Sequence, residues 1–317
     1  MKIVYILSSP HGGSTLLSHL LGTHQAIANL GEVTFLPKLL ALGEACSCSE
    51  PVVNCEAWKK VFSQLHSQTG VDLGATPYGL PLGDAIKQKQ GSGLVDREQQ
   101  TRSKEVIAKI RGAYDTAALL GAPQRGLLKL ITLPSIRESL DNTFSFYEAV
   151  SAAWNTDVLV DASKTLKKGP RLYRERPDDV RIIHMVRDGR GVVASRAKYM
   201  PVANAAERWH HYHRLSNWLL ERWVNPAHRR LLRYEDLATD PANQMRSLLE
   251  WLELDYHGNA ALESPARSHA AGGNPARFSM SDAVRGVDER WRESLTKADL
   301  RSFKKIAGRT NLQFGYV

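Results

Sequence analysis

Short runs of apolar, often β-branched residues recur along the chain between polar turns. Ile3 to Leu7 is such a run, closed by Ser8-Ser9-Pro10, and it predicts a buried parallel strand. Similar runs predict strands over residues 157–160, 180–186 and 229–233. After the first strand comes a Gly-Gly turn, followed by leucines at helical spacing: Leu16, Leu17, Leu20 and Leu21. The opening therefore predicts a strand, a tight glycine-rich loop and a helix.

Helical patterns occupy most of the remaining chain. They cover, approximately, residues 32–43, 56–67, 101–120, 135–154, 188–198, 202–224, 240–252 and 287–307. Residues 70–100 are rich in Gly, Pro and Gln and predict an irregular excursion. Strands that alternate with helices favour an open parallel α/β sheet whose ligand lies at the carboxyl ends of the strands.

Composition narrows the class of protein. The 317 residues are 43% hydrophobic and 24% charged, which excludes a disordered, collagen-like or coiled-coil chain. No stretch reaches the roughly 20 apolar residues of a membrane span, so we expect none. The first residues also lack a signal-peptide core and cleavage site, so we expect a cytoplasmic protein.

The net charge of +9 is concentrated in the second half of the chain. Residues 151–317 hold 28 basic and 20 acidic side chains, whereas residues 1–150 hold 14 and 13. This asymmetry favours an anionic partner bound by the second half. A solvated basic surface is the alternative that charge alone leaves open.

The first loop, Ser8 to Thr15, has the position and length of a phosphate-binding loop. Backbone N–H groups and a helix N-terminus there form an anion site, and glycines let the backbone approach the ligand. Aligned on Gly13, however, the loop has Ser14 where a Walker A loop has its Lys. The loop therefore suits an anion better than a Mg²⁺-bound nucleoside triphosphate; a plain strand-to-helix turn is the alternative.

Two motifs at matching distance carry a resemblance to a known family. P-H-G-G-S-T-L-L from Pro10 resembles the 5′-phosphosulfate loop of sulfotransferases that use PAPS (3′-phosphoadenosine 5′-phosphosulfate). R-D-G-R-G-V-V-A-S from Arg187 resembles their 3′-phosphate element, in which the Arg and a Ser eight positions later, here Ser195, clasp the phosphate. An Arg fork suits phosphate, and two helical turns bring the Ser to the same side. The alternative is an Arg that pairs with Asp188.

Three further segments agree with this resemblance. L-R-Y-E-D-L around Tyr234 is similar to the segment whose Tyr lies near the adenine, and G-G-N-P-A-R-F from Gly272 is similar to the nucleotide-covering loop of the bacterial branch. Gly31-Glu32 resembles a pair found in protein-tyrosine sulfotransferases and in related bacterial enzymes. The chain as a whole resembles this bacterial branch, which is related to the protein-tyrosine and carbohydrate sulfotransferases.

The resemblance implies a single sulfotransferase domain over residues 1–317, with a P-loop-like three-layer α/β fold whose central parallel sheet is flanked by helices. It implies sulfuryl transfer from PAPS to a hydroxyl or amine of an acceptor, with release of 3′,5′-ADP. We expect a small-molecule acceptor, a pocket shaped by residues 60–150, no nucleic acid and no metal. The implied nucleotide-binding residues are Gly12, Gly13, Ser14, Thr15, Leu16, Arg187, Ser195, Tyr234, Gly273, Asn274 and Arg277.

Three residues are candidates for catalysis. Glu32 is the candidate general base, although a first-turn Glu is also favoured by the helix dipole. Lys164, after the second predicted strand, can place its ammonium on the transferring group, with a solvated Lys as the alternative. His11 stands where most relatives have Arg or Lys, and a His is charged there only at low pH or with a raised pKa. Either His11 or Lys164 then assists the leaving group.

Two other groups of residues stay outside this scheme. Cys46, Cys48 and Cys55 lie within ten residues, but no Cys-x-x-Cys pair and no fourth metal ligand is evident, so we favour a structural loop over a metal site or a disulfide. The run W-H-H-Y-H from Trp209 to His213 favours an acceptor-pocket wall or surface over a metal site.

Two functions remain as alternatives. One is a nucleotide or small-molecule kinase with an atypical phosphate loop, which the missing Walker Lys disfavours. The other is a module that binds polyanions such as nucleic acid or heparin. That module would show strong salt dependence and no preference for a 3′-phosphate.

Overall fold

The computed structural model describes residues 1–83, 132–256, 269–278 and 286–317, together with residues 113 and 117. The helix predicted over 101–120 and part of the irregular segment predicted over 70–100 lie outside the described residues. The chain forms two compact units. The first comprises Met1, Glu32–Asp157 and His269–Gly272, and the second comprises Lys2–Gly31, Val158–Ser268 and Gly273–Val317.

The second unit is built on a five-stranded sheet in which every pairing is parallel, with the order β2-β3-β1-β4-β5. The strands are β1 (Lys2–Ser8), β2 (Ile27–Gly31), β3 (Val158–Asp161), β4 (Val180–Val186) and β5 (Arg229–Arg233). Four of the five follow the predicted runs. The parallel α/β fold predicted from the sequence is confirmed. Ser8, the last residue of β1, pairs with Met185 near the end of β4, whereas β3 ends at Asp161, which pairs with Tyr5.

Strand β2 is not predicted from the sequence. Its residues, I-A-N-L-G, include Ala, Asn and Gly, which are depleted in strands, and the run is too short to show a period. All five residues are nevertheless buried, and β2 pairs with β3 at the edge of the sheet. Tertiary burial therefore decides the conformation of this segment.

Helices cover the sheet of the second unit. They are α1 (Ser14–Leu21), α5 (Lys168–Glu175), α6 (Gly189–Arg196), α7 (Val202–Trp223), α8 (Tyr234–Thr239), α9 (Pro241–Trp251), α10 (Trp291–Ser294) and α11 (Lys297–Gln313). The pattern predicts neither α5 nor α8. The single helix predicted over 287–307 is two helices, because Thr296 forms a capping box with Asp299 and starts α11 afresh.

Two apolar clusters form the core of the second unit. One joins Val4 and Ile6 of β1 to α1 and α9, through residues such as Leu17 and Leu249. The other joins α6, α7 and α11, with Trp209 fully buried at its centre. Full burial of one such leucine contributes about 1.5–3 kcal/mol, so these clusters hold the strand ends in place.

The first unit is helical in its described residues. After a 3₁₀ turn (Val33–Phe35) come α2 (Leu36–Ala41), α3 (Glu56–Thr69) and α4 (Pro134–Trp154). The helix predicted over 32–43 is thus shorter and begins only at Leu36, with Pro37 in its first turn. Trp58 of α3 stacks on Phe146 of α4 at 6.1 Å and meets Trp154 edge-on at 5.1 Å, so aromatic packing joins α3 to α4. None of the described helices is long and apolar enough to cross a membrane.

Candidate functional site

A cleft of about 790 Å³ opens in the second unit where four strands end. Its lining includes residues that directly follow β1, β3, β4 and β5, as expected for an open parallel sheet. Ten of the predicted site residues line it: His11, Gly13, Ser14, Thr15, Leu16, Lys164, Arg187, Ser195, Tyr234 and Asn274. Gly12, Gly273 and Arg277 belong to the same unit but are not among the lining residues.

The loop after β1 requires its glycines. Gly13 has a φ of +94°, and a Cβ there would lie 2.6 Å from the Tyr234 ring and 2.8 Å from the Met185 methyl group. A Cβ on Gly12 would lie 2.9 Å from the carbonyl oxygen of Ser9. Gly13 also starts α1 without a side-chain cap. The first N–H groups of α1 have no acceptor within the helix, and a helix N-terminus of this kind is suited to an anion.

The segment from Gly273 to Phe278 supports that loop. The backbone N–H of Asn274 donates to Thr15 Oγ1 at 3.3 Å. The Arg277 guanidinium donates to the Gly273 carbonyl oxygen at 3.0 Å and lies 4.2 Å over the Phe278 ring. In this structure Arg277 thus shapes its own loop, and Asn274 and Pro275 are the residues of the segment that line the cleft.

Arg187 lies at the end of β4 with its side chain largely buried. Its guanidinium donates to the carbonyl oxygen of His11 at 3.2 Å and lies 4.7 Å over the Tyr234 ring. A Cβ on Gly191 would lie 3.1 Å from Arg187 Nε, so the glycine lets α6 approach the guanidinium. Ser195, one turn further along α6, lines the same cleft. Arg187 and Ser195 therefore line one cleft, and their clasp of a 3′-phosphate stays a prediction.

The carboxylate that pairs with Arg187 is Asp288. Their closest atoms, Nη2 and Oδ2, are 3.0 Å apart, and Asp288 also accepts two hydrogen bonds from Arg290, each 2.8 Å long. The Arg290 hydrogen bond and, less strongly, Arg187 hold the pKa of Asp288 well below its usual range. Asp188 instead pairs with Arg190 at 2.6 Å and caps α6. The sequence does not predict the role of Asp288, because this residue lies 101 positions from Arg187 and in no motif.

Lys164 follows β3 in a left-handed conformation with a φ of +61°, which is costly for a residue other than glycine. Hydrogen bonds on both sides hold it there. The Tyr212 hydroxyl donates to the Lys164 carbonyl oxygen at 2.8 Å, and the Tyr5 hydroxyl accepts from the Thr165 N–H at 3.0 Å. Asp161 accepts from the Ser163 N–H at 2.7 Å. Tyr5, Asp161 and Tyr212 are thus positioning residues that no motif identifies.

His11 is an exposed side chain among cations, and its φ of +66° is also left-handed. Burial lowers the pKa of His11 first, and the positive charges of Arg196, Lys164, Arg187 and Lys198 lower it further. The imidazole is therefore mainly neutral at pH 7 in the free protein. Cations gathered at a helix N-terminus make the cleft a site for a multiply charged anion.

Glu32 belongs to the first unit and directly follows β2 in the chain. It precedes the 3₁₀ turn as its N-cap residue, and its backbone N–H donates to the Ala271 carbonyl oxygen at 2.7 Å. The three cysteines lie in the same unit.

The expectation that Trp209 to His213 form a pocket wall or surface is wrong for Trp209 and His213, which are fully buried core residues one turn apart on α7. His213 Nδ1 and His184 Nε2 are 3.0 Å apart, and burial lowers the pKa of His184 to about 3. His213 therefore packs as a neutral core residue. The periodicity of α7 explains this, because positions separated by four residues share one face.

Residues 127–258 match the model of a sulfotransferase family. The structure is similar to the sulfotransferase domain of the Synechococcus PCC 7002 olefin synthase, with a TM-score of 0.53 and 19% identity over 100% of this chain and 95% of that one. No curated protein matches the chain significantly.

Two other solved structures are similar over 100% of this chain. The sulfotransferase domain from the curacin biosynthetic pathway has a TM-score of 0.51 and 17% identity, with 98% of that domain covered. The sulfotransferase STF9 from Mycobacterium avium has a TM-score of 0.51 and 14% identity, with 77% of that chain covered. At these identities the likeness shows the fold. With the family model, it confirms the resemblance to sulfotransferases that the motifs indicated.

Proposed function

We propose that this protein is a PAPS-dependent sulfotransferase that transfers a sulfuryl group to a hydroxyl or amine of a small molecule and releases 3′,5′-ADP. The observation that carries the proposal is the cleft of the second unit. It combines an uncapped helix N-terminus with Arg187, Ser195 and further cations at the carboxyl ends of the strands. PAPS carries two separated anionic groups, the 5′-phosphosulfate and the 3′-phosphate. These groups match the helix N-terminus and the cationic side of the cleft, respectively.

The described residues fit such a donor. The first-turn N–H groups of α1, at Ser14, Thr15 and Leu16, would hold the 5′-phosphosulfate. Arg187 and Ser195 would hold the 3′-phosphate by charge-assisted hydrogen bonds, and Tyr234 would lie near the adenine. PAPS supplies the activated sulfuryl group, and the residues of the chain supply binding and charge stabilisation.

Lys164 and His11 would stabilise the charge that develops on the leaving group. We assign the permanent cation to Lys164, because the neighbouring cations lower the pKa of His11 in the free protein. His11 would then donate a hydrogen bond, and it gains a proton only when the bound anion offsets those cations. Donors placed before the reaction cost little reorganisation during it, and each is worth about 3–4 kcal/mol of barrier in comparable sites.

Glu32 is our candidate for the base that removes the acceptor proton. A positioned general base accelerates a transfer about 10²–10⁴-fold. The backbone of Glu32 is held by its hydrogen bond to Ala271. We further propose that residues 60–150 shape the acceptor pocket of a single working domain; a large part of this segment lies outside the described residues.

Calorimetric titration tests the donor site directly. We expect 3′,5′-ADP to bind in the micromolar range and to bind at least tenfold more tightly than 5′-ADP or 5′-AMP, because one charge-assisted contact to the 3′-phosphate contributes about 1.5–3 kcal/mol. Equal binding of the three nucleotides would contradict the 3′-phosphate site. A preference for ATP with Mg²⁺ would favour a kinase, and affinity for heparin alone would favour a polyanion-binding module.

Transfer itself is tested by incubating the enzyme with ³⁵S-labelled PAPS and a panel of small phenols, alcohols and amines. We expect labelled product with at least one acceptor and its loss in Glu32→Gln, with binding of 3′,5′-ADP unchanged. Glu44→Gln is the control, since Glu44 is an exposed acidic residue of the same unit.

A further inference from the structure

The three cysteines of the first unit meet a histidine from a distant part of the chain. The ligand atoms of Cys46, Cys48, Cys55 and His269 all lie within 4.8 Å of one another. Cys55 Sγ lies 3.2 Å from His269 Nδ1 and 3.6 Å from Cys48 Sγ, and Cys46 Sγ lies 3.9 Å from His269 Nδ1. His269 lies 214 positions after Cys55, so the sequence pattern does not reveal it as the fourth ligand.

Local structure aims these side chains at one point. Ser49, with a φ of +75°, closes a tight turn in which its N–H donates to the Cys46 carbonyl oxygen at 2.9 Å. This turn places Cys46 and Cys48 side by side. Cys55 precedes the first turn of α3, whose N–H groups at Ala57 and Trp58 donate to its sulfur.

His269 is fixed by neighbours of the same unit. The Trp58 indole donates to its carbonyl oxygen at 2.7 Å, and the Trp154 ring lies 6.1 Å from the imidazole. The next residues continue as a bridge, because Cys46 pairs with Ala271 and the Ser47 N–H donates to the Ala270 carbonyl oxygen at 3.0 Å. Backbone pairing of residues 46–47 with residues 270–271 thus holds the imidazole next to the cysteine turn.

Three of the distances among the four ligand atoms are close to those of a tetrahedral zinc site, and the whole set lies within 4.8 Å. With Zn–S near 2.3 Å and Zn–N near 2.0–2.1 Å, sulfurs around one ion lie about 3.8 Å apart, and a sulfur and a nitrogen lie about 3.5 Å apart. The three distances above fall within a few tenths of an ångström of these values. Three thiols and one imidazole are also the soft donor set that selects zinc over calcium or magnesium.

We propose that Cys46, Cys48, Cys55 and His269 bind one Zn²⁺ ion as a structural Cys₃His site. Binding would release the three thiol protons to solvent and leave three thiolates and a neutral imidazole around the ion, with no change in oxidation state. Four protein ligands fill the tetrahedron, so the ion would not act on substrate. Exposed Cys48 provides the path by which the ion enters.

The ion would link two segments that the chain separates by more than 200 residues. It would hold His269 and therefore the adjoining Ala271, whose carbonyl oxygen accepts the backbone hydrogen bond of Glu32. A metal that closes so long a loop contributes strongly to folding. This site would therefore maintain the backbone around Glu32 without contacting the reacting atoms.

Metal content of the full chain tests the proposal. Protein purified without chelator and exchanged into metal-free buffer should contain about one Zn²⁺ per chain by plasma mass spectrometry. Cys46→Ser and His269→Ala should lose most of it, and His269→Cys should retain it, because four thiolates also hold zinc. His66→Ala is the control, since His66 is exposed on α3 of the same unit, and it should keep the full equivalent.

A second measurement does not depend on the folding of variants. Wild-type protein stripped with chelator and reloaded with Co²⁺ should show the thiolate-to-cobalt charge-transfer band and intense visible bands of a tetrahedral site. Absence of both zinc and cobalt binding in protein with three titratable thiols would overturn the proposal. So would a single titratable thiol in metal-free, unreduced protein, because a disulfide would then occupy the cluster. Binding of 3′,5′-ADP, measured on the same samples, tests the proposed function separately.

Discussion

The cleft of the second unit and the cysteine cluster of the first unit each gather like groups at one point, but with opposite chemistry. The cleft brings the cations Lys164, Arg187 and Lys198 near His11. The cluster brings three thiols and an imidazole within 4.8 Å. Cations attract a hard anion, whereas thiols attract a soft metal ion that displaces their protons.

The two sites also differ in how readily a bound ligand could dissociate. The cleft is open to solvent. Asp288 is the acidic residue among its described lining residues, and it pairs with Arg187. An open, cationic site suits a ligand that must bind and dissociate in each cycle. In the cluster Cys46 and Cys55 are buried. The four proposed protein ligands would complete the coordination of a metal ion, so the ion would need no further ligand. Such a closed site suits an ion that stays bound. Substitutions in the cleft test whether it is the anion-binding site of this comparison.

Loss of Arg187 should have the largest effect. Arg187→Ala removes the fork that would bind the 3′-phosphate, and we expect 3′,5′-ADP to bind about 100-fold more weakly, from about 3 kcal/mol of charge-assisted hydrogen bonding. Binding of 5′-AMP should change little. Calorimetry on Arg301→Ala, an exposed Arg of α11, provides the control. An equal loss for both nucleotides would mean that Arg187 acts only through general charge.

Gly13→Ala should weaken 3′,5′-ADP about tenfold. The left-handed φ costs a non-glycine residue about 1–2 kcal/mol, and the new Cβ would displace Tyr234 or Met185. Calorimetry and thermal unfolding measure both effects. Gly308→Ala is the matched control, because Gly308 lies within α11 and its Cβ would meet nothing nearer than 3.4 Å. That variant should bind normally and gain about 0.5–1 kcal/mol in stability. Normal binding by Gly13→Ala would show that the loop does not hold the anion.

Tyr212→Phe should lower kcat about fivefold and leave the affinity for 3′,5′-ADP unchanged. It removes the hydrogen bond to the Lys164 carbonyl oxygen, worth about 1 kcal/mol, and so loosens the left-handed residue that places the ammonium. Tyr173→Phe also removes a partly buried hydroxyl, which accepts a hydrogen bond from the Asn225 N–H and contacts His228 Nδ1, but elsewhere in the unit. If both variants lose kcat equally, the effect is one of stability and Lys164 has no special position.

Asp288→Asn should tighten 3′,5′-ADP about threefold. The carboxylate pairs with Arg187 in the free protein and opposes an arriving phosphate, so its neutralisation makes the guanidinium available. Glu289→Gln changes the same charge on the neighbouring residue, which pairs with Arg292 at the surface, and should have a smaller effect. Weaker binding by Asp288→Asn would instead assign Asp288 the task of orienting Arg187.

The smallest expected effect is the pH dependence of binding through His11. The pKa of His11 is lowered in the free protein, and a bound polyanion raises it. Between those two values binding takes up a proton, so affinity should rise as the pH falls below 6.5. Comparison with His11→Asn removes the titration of the ligand's own phosphates, and we expect the affinity ratio of wild type to variant to increase about two- to threefold towards pH 5. A constant ratio would contradict a role for His11 in anion binding.

Much of the fold and of the cleft could be predicted because the relevant signals are local. The buried runs of β1 and β4 and the glycine loop each lie within ten residues, and the spacing of Arg187 and Ser195 is that of two helical turns. Backbone preference and side-chain period act over the same distance. Strand β2 escaped because its burial comes from the rest of the sheet and not from its own composition.

What the sequence by itself determined is therefore four of the five strands, most of the described helices, the glycine loop after β1 and the set of charged side chains near it. The tertiary structure alone decided that Asp288 pairs with Arg187, that Tyr5 and Tyr212 hold the backbone of Lys164, and that His269 completes the cysteine cluster. Each of these contacts joins residues at least 48 positions apart. Such contacts depend on how the whole chain packs, because burial and proximity, unlike local propensity, are properties of the folded core.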